Sequence, residues 1–311
     1  MKILITGGNG FVGQNLDCFF QKHSQHSIVC AARSPQSTSS GFLSLDLDSD
    51  FNISAQLADV DVIVHCAARV HLMQDNASNP LAEYRRVNTT GTIELARQAA
   101  DAGVRRFIFI STIKVNGEST PCDIPFQAAV ARPPEDPYAL SKYEAEQGLL
   151  ALAKESGMEV VIIRPPLVYG LGVKANFNSM MNCVKKGLPL PLGAIENRRS
   201  LVYVGNLVDL IVTCLDHPGA VNRTLLVSDD EDVSTTQLLK KIADAMGRKS
   251  RLLPIPSKYL LLLTKVLGKA AVGERLCSSL HVDISETKSC LQWTPPYTLD
   301  EALKLTVRSK K

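Results

Sequence analysis

The first half of the chain alternates short apolar runs with longer stretches in which apolar residues recur every three or four positions. The short runs predict strands at 2–5, 27–31, 60–65, 106–110 and 160–163. The periodic stretches between them predict helices at 11–22, 81–102 and 138–156. This β-α-β order predicts an α/β fold of the Rossmann type, with a doubly wound parallel sheet and right-handed crossovers.

Beyond Pro165-Pro166 the alternation is looser, and glycine and proline become frequent. Here the pattern indicates a strand at 200–204, a helix at 207–215 and a further strand at 224–227. We therefore predict a dinucleotide-binding type of domain at 1–169, to which elements around 200–230 return. The remaining residues, mainly 170–311, are predicted to form a smaller C-terminal α/β lobe.

The most apolar stretch of the chain runs from residue 259 to residue 267. Thr264 and Lys265 interrupt it, and it is much shorter than the roughly 20 apolar residues that a membrane-spanning helix needs. We therefore expect no membrane span. The stretch is interpreted as a buried or interface helix, with a helix lying on a membrane surface as the alternative.

Composition narrows the class of protein without identifying it. Of 311 residues, 45% are hydrophobic and 21% are charged, which is typical of a globular chain. Lys+Arg 34 against Asp+Glu 31 gives a net charge of +3 with no block of five like charges, which argues against nucleic-acid binding. The eight cysteines form no CxxC pair and no signal peptide precedes the first strand, so we expect a reduced, cytoplasmic protein without a structural metal.

A glycine-rich turn follows the first predicted strand and leads into the first predicted helix. Gly7, Gly10 and Gly13 suit a tight turn, a close backbone approach to a pyrophosphate and close packing of helix on sheet. Phe11 and Val12 begin the helix, whose N-terminal amides favour an anion. The strand–turn–helix context predicts a dinucleotide site.

The end of the second predicted strand bears on the choice between NAD and NADP. NAD sites commonly place an acid there for the ribose 2′-hydroxyl, whereas this chain has Arg33 and no carboxylate. Arg33 would suit a 2′-phosphate, although an ordinary solvent-exposed arginine is an equal alternative. The predicted cofactor is therefore NAD(P)(H), with NADP(H) favoured.

Tyr138 and Lys142 are four residues apart (142 − 138 = 4) on a predicted helix that begins after Pro137. That spacing places both side chains on one face, one turn apart. We expect the Lys142 ammonium to lower the pKa of the Tyr138 phenol, making it an acid or base near neutrality. The strand ending at residue 110 precedes Ser111 and Thr112, and the Thr112 hydroxyl could orient a carbonyl or alkoxide.

Together these motifs resemble the extended short-chain dehydrogenase/reductase family, in its nucleotide-sugar epimerase, dehydratase and ketoreductase branch. The segments that carry the resemblance are Thr6–Gly13, Asp46-Leu47, His65–Ala68, Val87–Thr92, Ser111–Gly117, Arg164–Gly170, Arg199–Val204, Val282–Ser285 and Leu291–Pro295. Asn116 departs from the family pattern, which usually has a tyrosine there. The resemblance also suggests a homodimer formed through the helices at 81–102 and 138–156.

The resemblance implies a role for each matching residue. Thr112, Tyr138 and Lys142 would be catalytic, and Thr112 would also contact substrate. Besides the glycine turn, Arg33, Tyr138 and Lys142, the implied cofactor-binding residues are Asp46, Leu47, Ala67, Ala68, Asn88, Ser111 and Pro165. The implied substrate residues are Asn176 and Arg199 at a nucleotide diphosphate, Arg275 as a displaced second arginine, and Leu280 at the position that sets pocket size.

The resemblance leaves the reaction open. Ile113 and Lys114 occupy the positions where 4,6-dehydratases of the family carry Asp-Glu, so dehydration is not expected. We favour reduction of a UDP-linked 4-keto-6-deoxy sugar, of the UDP-N-acetylquinovosamine type, in surface polysaccharide biosynthesis. The alternative is a UDP-glucose or UDP-N-acetylglucosamine 4-epimerase that retains NAD. Two further possibilities are a dehydrogenase of lipid or steroid alcohols and a non-catalytic dinucleotide sensor or scaffold.

Overall fold

The computed structural model describes residues 1–35, 41–70, 79–173 and 175–308. The strands are β1 Lys2–Thr6, β2 Ser27–Ala32, β3 Gly41–Ser44, β4 Val62–His65, β5 Arg106–Ile110, β6 Glu159–Arg164, β7 Leu167–Tyr169, β8 Leu201–Tyr203 and β9 Arg223–Leu226. The α-helices are α1 Phe11–His23, α2 Ser54–Leu57, α3 Pro80–Tyr84, α4 Thr92–Asp101, α5 Pro137–Ser156, α6 Ala175–Lys185, α7 Val204–Thr213, α8 Thr235–Ala245, α9 Ser257–Val266, α10 Ala270–Cys277, α11 Ser285–Leu291 and α12 Leu299–Val307. A π-helical stretch at Arg85–Gly91 and short 3₁₀ helices at Ile113–Val115 and Pro218–Ala220 complete the regular structure of these residues.

The main sheet has seven parallel strands in the order β3-β2-β1-β4-β5-β6-β9. The chain winds outward from β1 to β3, then crosses back to place β4 on the other side of β1. Ligands bind at such a reversal, beyond the carboxyl ends of the strands. Thr6 and His65 end β1 and β4 side by side in this crevice. The predicted doubly wound Rossmann-type fold is confirmed.

Helices cover both faces of this sheet, which explains why its central strands are continuously apolar. On one face α1 and α7 pack through Leu16, Leu207 and other residues shielded from solvent. On the other face α2, α4 and α5 contribute Leu57, Leu95 and Leu149. These two layers of side chains fix the sheet, and the polar residues that follow β1, β4 and β5 lie at its edge.

A third apolar cluster lies in the second half of the chain. It joins α6, α8 and α12 to the separate two-stranded parallel sheet β7-β8 through residues such as Phe177, Leu239 and Leu303. Strand β9 pairs with β6 at the edge of the main sheet. The domain boundary at residue 169 stays a prediction.

The predicted helix at 81–102 is not a uniform α-helix. Seven residues, Arg85–Gly91, are π-helical, and α4 continues from them. At Gly91 the helix passes so close to the neighbouring backbone that a Cβ atom would lie 2.5 Å from the Leu47 carbonyl oxygen. The wider turn accommodates this contact and directs Asn88 inward, where it is 1% exposed. Hydrophobic spacing carries no signal for such a turn.

Residues 259–267 are expected to form a buried or interface helix, and burial within this chain is not what the structure shows, so an interface or membrane-surface helix stays a prediction. They belong to α9 and the turn after it, and of the apolar side chains there Leu260 is buried while its neighbours are exposed. In the part of the chain that the structure describes, no helix combines the length and the apolar character needed to cross a membrane.

Candidate active site

The glycine turn occupies the crevice between β1 and β4. Gly7 has a positive φ of 69°, and a Cβ atom there would lie 2.6 Å from the Ala67 nitrogen. A Cβ atom on Gly13 would lie 2.3 Å from the Gly7 oxygen, whereas one on Gly10 would meet only that oxygen, at 3.1 Å. Close packing therefore explains why residues 7 and 13 are glycines, whereas Gly10 leaves open space at the start of α1.

Helix α1 begins at Phe11 and Val12 without a capping side chain and without an acidic residue in its first turn. The free backbone amides at the helix N-terminus and the positive end of the helix dipole therefore lie beside the space at Gly10, and this arrangement suits a pyrophosphate. The residues present fit a dinucleotide cofactor.

The residues expected near the adenosine end follow β2 and β3. Arg33 is exposed directly after β2. Asp46 is exposed and its carboxylate accepts a hydrogen bond from the Asp48 amide at 3.1 Å, while Leu47 is buried. The Asn9 amide group donates to the Ser34 carbonyl at 2.7 Å, which ties the glycine turn to the Arg33 segment.

A buried histidine holds the end of β4 in place. His65 lies between the hydroxyls of Thr6, 2.7 Å from Nδ1, and Thr92, 3.0 Å from Nε2. Burial, assisted by the charge of Lys142, lowers the pKa of His65 to about 3, so this imidazole is neutral. The Ala67 amide donates to the Thr6 hydroxyl at 3.3 Å, and half-buried Ala68 follows it.

Asn88 connects three parts of the site. Its side-chain oxygen accepts from the Arg69 amide at 2.9 Å, and its nitrogen donates to the Arg69 carbonyl and to the Ser141 hydroxyl, each at 3.1 Å. Thr89 adds a hydrogen bond to the Ser141 carbonyl at 2.8 Å. The π-helical stretch therefore fixes the residues after β4 against α5, next to the candidate catalytic lysine.

Tyr138 and Lys142 lie in the first turns of α5, which begins with Pro137 and is capped by the Asp136 carboxylate. Lys142 is 1% exposed, donates to the Ile110 carbonyl at 2.8 Å and places its ammonium 3.8 Å from the centre of the Phe109 ring. Thr112 follows the same strand end and is half-buried. The structure thus brings α5 and the Thr112 segment together through Lys142.

The expectation that Lys142 lowers the pKa of Tyr138 is wrong for this arrangement. Burial, followed by the negative charges of Asp136 and a neighbouring tyrosine, raises the pKa of Tyr138 to about 12. Burial also lowers the pKa of Lys142 to about 7, although the Glu146 carboxylate opposes that shift. The lysine charge is directed to the Ile110 carbonyl and the Phe109 ring, and desolvation decides both pKa values.

Sequence reasoning missed a buried ion pair behind the candidate triad. Glu146, fully buried, accepts from Arg164 at 2.9 and 2.5 Å and from the Ser111 hydroxyl at 2.5 Å. Glu146 is four residues beyond Lys142 (146 − 142 = 4) and so continues the Tyr138–Lys142 face. That spacing was the available signal. Ser111, expected at the cofactor, uses its hydroxyl in this network.

The segment after Thr112 is held by the same arginine. Arg164 also donates to the Asn116 side-chain oxygen at 3.0 Å, so the residue that departs from the family pattern completes this hydrogen-bond network. The Pro165 carbonyl accepts from the Ile113 amide at 3.0 Å. Ile113 is buried and Lys114 pairs with Glu118 at 2.8 Å, so these two positions supply no acid or base for dehydration.

Three of the expected substrate residues lie close together in the second half of the chain. Arg199 donates to the backbone carbonyls of Arg275 at 2.9 Å and Ser278 at 3.2 Å, and burial lowers its pKa. Leu280 is buried and forms a parallel bridge with Arg199. Asn176 instead lies exposed in the first turn of α6, beside Phe177, whose ring stacks on Tyr169 at 5.0 Å.

The switch-point crevice, the glycine turn and the Tyr-Lys pair on α5 define an enzyme of the extended short-chain dehydrogenase/reductase class. Residues 3–227 match the NAD dependent epimerase/dehydratase family, and the chain belongs to that family. The chain is therefore an NAD-dependent enzyme, as the predicted enzyme class requires, and a purely non-catalytic role is not supported. The predicted preference for NADP(H) finds no support in these comparisons.

Individual proteins show the same similarity. A UDP-glucose 4-epimerase of Vibrio cholerae is 50% identical over 311 residues, covering 99% of this chain and 95% of that protein. A UDP-N-acetylglucosamine 4-epimerase structure from Bacillus cereus has a TM-score of 0.79 at 21% identity, covering 98% of this chain and 97% of that one. A UDP-glucuronic acid 4-epimerase from Bacillus cereus, solved in complex with NAD, has a TM-score of 0.77 at 20% identity over 98% and 95% of the two chains.

Proposed function

We propose that this protein is an NAD-dependent UDP-sugar 4-epimerase that acts on UDP-glucose or a related UDP-hexose. The observation that carries the proposal is the 50% identity to the Vibrio cholerae UDP-glucose 4-epimerase over nearly the whole length of both proteins. This supports the epimerase alternative better than the reductase that the sequence motifs favoured. We therefore no longer favour reduction of a 4-keto-6-deoxy sugar.

The proposed cofactor is NAD rather than NADP. The family and the NAD complex of a structural relative support NAD, and the preference for NADP rested on Arg33 alone. Arg33 follows β2 in an exposed position, and an exposed arginine there is compatible with NAD, which has no 2′-phosphate for it to bind. Bound beside Gly10 and the start of α1, NAD would supply the acceptor and returning donor of the C4 hydride.

In this proposal Tyr138 takes the proton from the C4 hydroxyl of the sugar and later returns it. Thr112 donates a hydrogen bond to the same oxygen and orients it. Lys142, fixed on the Ile110 carbonyl, holds α5 at the end of β5 and so positions Tyr138 beside the Thr112 segment. Ground-state burial favours the neutral phenol, so the proton moves only when these groups and the sugar are assembled.

The diphosphate of the sugar nucleotide would bind at Arg199. Its guanidinium is a bidentate donor suited to phosphate, and its backbone forms bridges with Val233 of the third apolar cluster and with Leu280 of the cluster on one face of the main sheet. Asn176 on α6 and Arg275 on α10 are proposed as further contacts, with buried Leu280 shaping the floor of the pocket.

The experiment is an assay of purified protein without added reduced cofactor. UDP-glucose and UDP-N-acetylglucosamine are supplied separately, and the C4 epimers are quantified by chromatography. We expect interconversion with catalytic amounts of NAD. Stoichiometric oxidation of NADPH with a UDP-4-keto-6-deoxy-hexosamine, and no epimerisation of either sugar, would establish the reductase instead.

A further inference from the structure

Helices α9 and α10 form a short hairpin, residues 257–277, in the second half of the chain. The two helices are in close contact, because a Cβ atom on Gly273 would lie 2.1 Å from the Thr264 hydroxyl. The base of the hairpin is fixed by hydrogen bonds from Arg199 to the Arg275 carbonyl and from Asn197 and Thr235 to the Leu276 carbonyl. The hairpin is therefore a defined surface rather than a loose tail.

Most of its apolar side chains face solvent. Leu262 is 60% exposed, Val266 77% and Leu267 61%, and Tyr259, Leu261, Leu263 and Val272 are also exposed. Of the fifteen large apolar side chains that are exposed in the described residues, seven lie in the hairpin. Contiguous exposed apolar surface of this kind marks a contact with another body.

The same hairpin is strongly basic. Residues 257–277 contain Lys258, Lys265, Lys269 and Arg275 against the single acid Glu274, a balance of +3 (4 − 1 = 3). All three lysines are exposed. The whole chain also has a net charge of +3, so this hairpin is a concentration of positive charge in an otherwise balanced protein.

We propose that the α9–α10 hairpin binds the surface of a lipid bilayer that contains anionic lipids. Apolar side chains flanked by lysines are typical of helices that lie in the headgroup region, with the chain too short to cross. The lysines are attracted to anionic headgroups while the leucines enter the acyl boundary. This proposal is independent of the proposed function.

A second copy of the chain is a poorer partner for this surface. A two-fold contact would bring each hairpin against its own counterpart, so the lysines of one copy would face those of the other. An anionic bilayer offers the apolar phase and the opposite charge together. Charge complementarity therefore decides between the two partners.

The test is co-sedimentation of the full-length protein with vesicles. Phosphatidylcholine vesicles are compared with vesicles of phosphatidylcholine and phosphatidylglycerol in equal parts, at low and high salt. We expect binding to the anionic vesicles, weakened by salt. No binding to anionic vesicles would overturn the proposal, and so would equal binding to both compositions.

Three variants locate the contact. The double variant Leu262→Ser with Val266→Ser removes apolar surface, and Lys265→Glu reverses one charge. For each of these two hairpin variants we expect at least about fivefold weaker binding to the anionic vesicles. Ile124→Ser, at an equally exposed apolar residue outside the hairpin, is the matched control and should bind like the wild type. Unchanged vesicle binding by both hairpin variants would contradict the proposal.

Two further measurements separate lipid binding from self-association and from loss of the fold. Sedimentation velocity without lipid gives the oligomeric state, and a change of mass in the double variant without any lipid binding would show that a second copy covers the hairpin. Urea denaturation tests whether each variant is folded, and we expect midpoints close to that of the wild type because the substituted positions are exposed. A folded variant that has lost only vesicle binding supports the proposal.

Discussion

The ammonium of Lys142 donates a hydrogen bond to the main-chain carbonyl of Ile110, 2.8 Å away, at the end of a central strand. This contact joins α5, which carries Tyr138, to the strand after which Thr112 follows. The lysine is buried and its pKa is lowered to about 7. One side chain therefore sets the position of the candidate triad and carries a buried charge that depends on pH.

Replacing Lys142 with methionine should remove a pH dependence of stability. The lysine is protonated below pH 10.5 in the unfolded chain and below about pH 7 in the native protein. Above pH 7 the unfolded chain binds more protons, so unfolding free energy should rise with pH, by at most about 1.4 kcal/mol per unit.

Urea titrations between pH 7 and pH 9 measure this slope in both proteins, and the cysteines, with an ordinary pKa of 9.0 in the unfolded chain, contribute equally to each. In Lys142→Met the slope should be smaller by that amount. An equal slope in the two proteins would show that Lys142 keeps its ordinary pKa.

Breaking the buried Arg164–Glu146 pair should be costly, whereas removing both charges should not. Arg164→Met leaves the Glu146 carboxylate buried with one remaining donor, and we expect a loss of roughly 3–5 kcal/mol in unfolding free energy. The double variant Arg164→Met with Glu146→Leu should recover most of that loss. Equilibrium denaturation of both variants tests this, and a double variant no more stable than Arg164→Met would refute the coupling.

Alanine substitutions at Gly10 and Gly13 should distinguish an effect on cofactor binding from an effect on stability. Gly10 has extended backbone and no close neighbour beyond the Gly7 oxygen, so Gly10→Ala should fold with stability within about 1 kcal/mol of the wild type. Its methyl group enters the proposed pyrophosphate space, and NAD affinity should fall tenfold or more. Gly13→Ala should instead cost about 1–3 kcal/mol of stability, because its Cβ meets the Gly7 oxygen.

Calorimetric titration with NAD and thermal unfolding distinguish the two effects. Normal NAD affinity in Gly10→Ala would place the pyrophosphate elsewhere.

Tyr138→Phe should lower the rate of C4 epimerisation by between about 100-fold and 10,000-fold, the range of general acid–base catalysis. NAD binding should persist, since the phenol is proposed to act on the sugar. Tyr84→Phe is the matched control, because its ring contacts that of Tyr138 edge-on at 5.8 Å without a proposed chemical role. Retained turnover in Tyr138→Phe would remove the tyrosine from the mechanism.

Much of the cofactor half was predictable because its signals are local. The helix with Tyr138 and Lys142 follows from Pro137 and from their four-residue spacing, and β5 was predicted with its observed bounds. Strand β3 was missed because Gly41–Ser44 is a short, exposed edge strand without a continuous apolar pattern. Elements with weak patterns depend on partners that only the fold supplies.

The chemistry of the site was less predictable than its residues. The raised pKa of Tyr138 follows from burial, which helix spacing does not report. The exposed helix α9 is a second example. An apolar stretch indicates a contact that excludes water, but the sequence does not say whether the contact is with the same chain or with another body. Glu146 was recognisable by spacing, but its partner Arg164 is on a different element.

Arg199 links the α9–α10 hairpin to the proposed diphosphate site. Its guanidinium holds the carbonyls at the base of the hairpin and is also the proposed diphosphate ligand. If diphosphate binding shifts those hydrogen bonds, hairpin position and substrate affinity are thermodynamically linked, and the linkage is reciprocal. If lipid binding raised the affinity for the sugar nucleotide, the sugar nucleotide would raise the affinity for lipid by the same factor. Substrate binding and attachment to the membrane would then regulate each other.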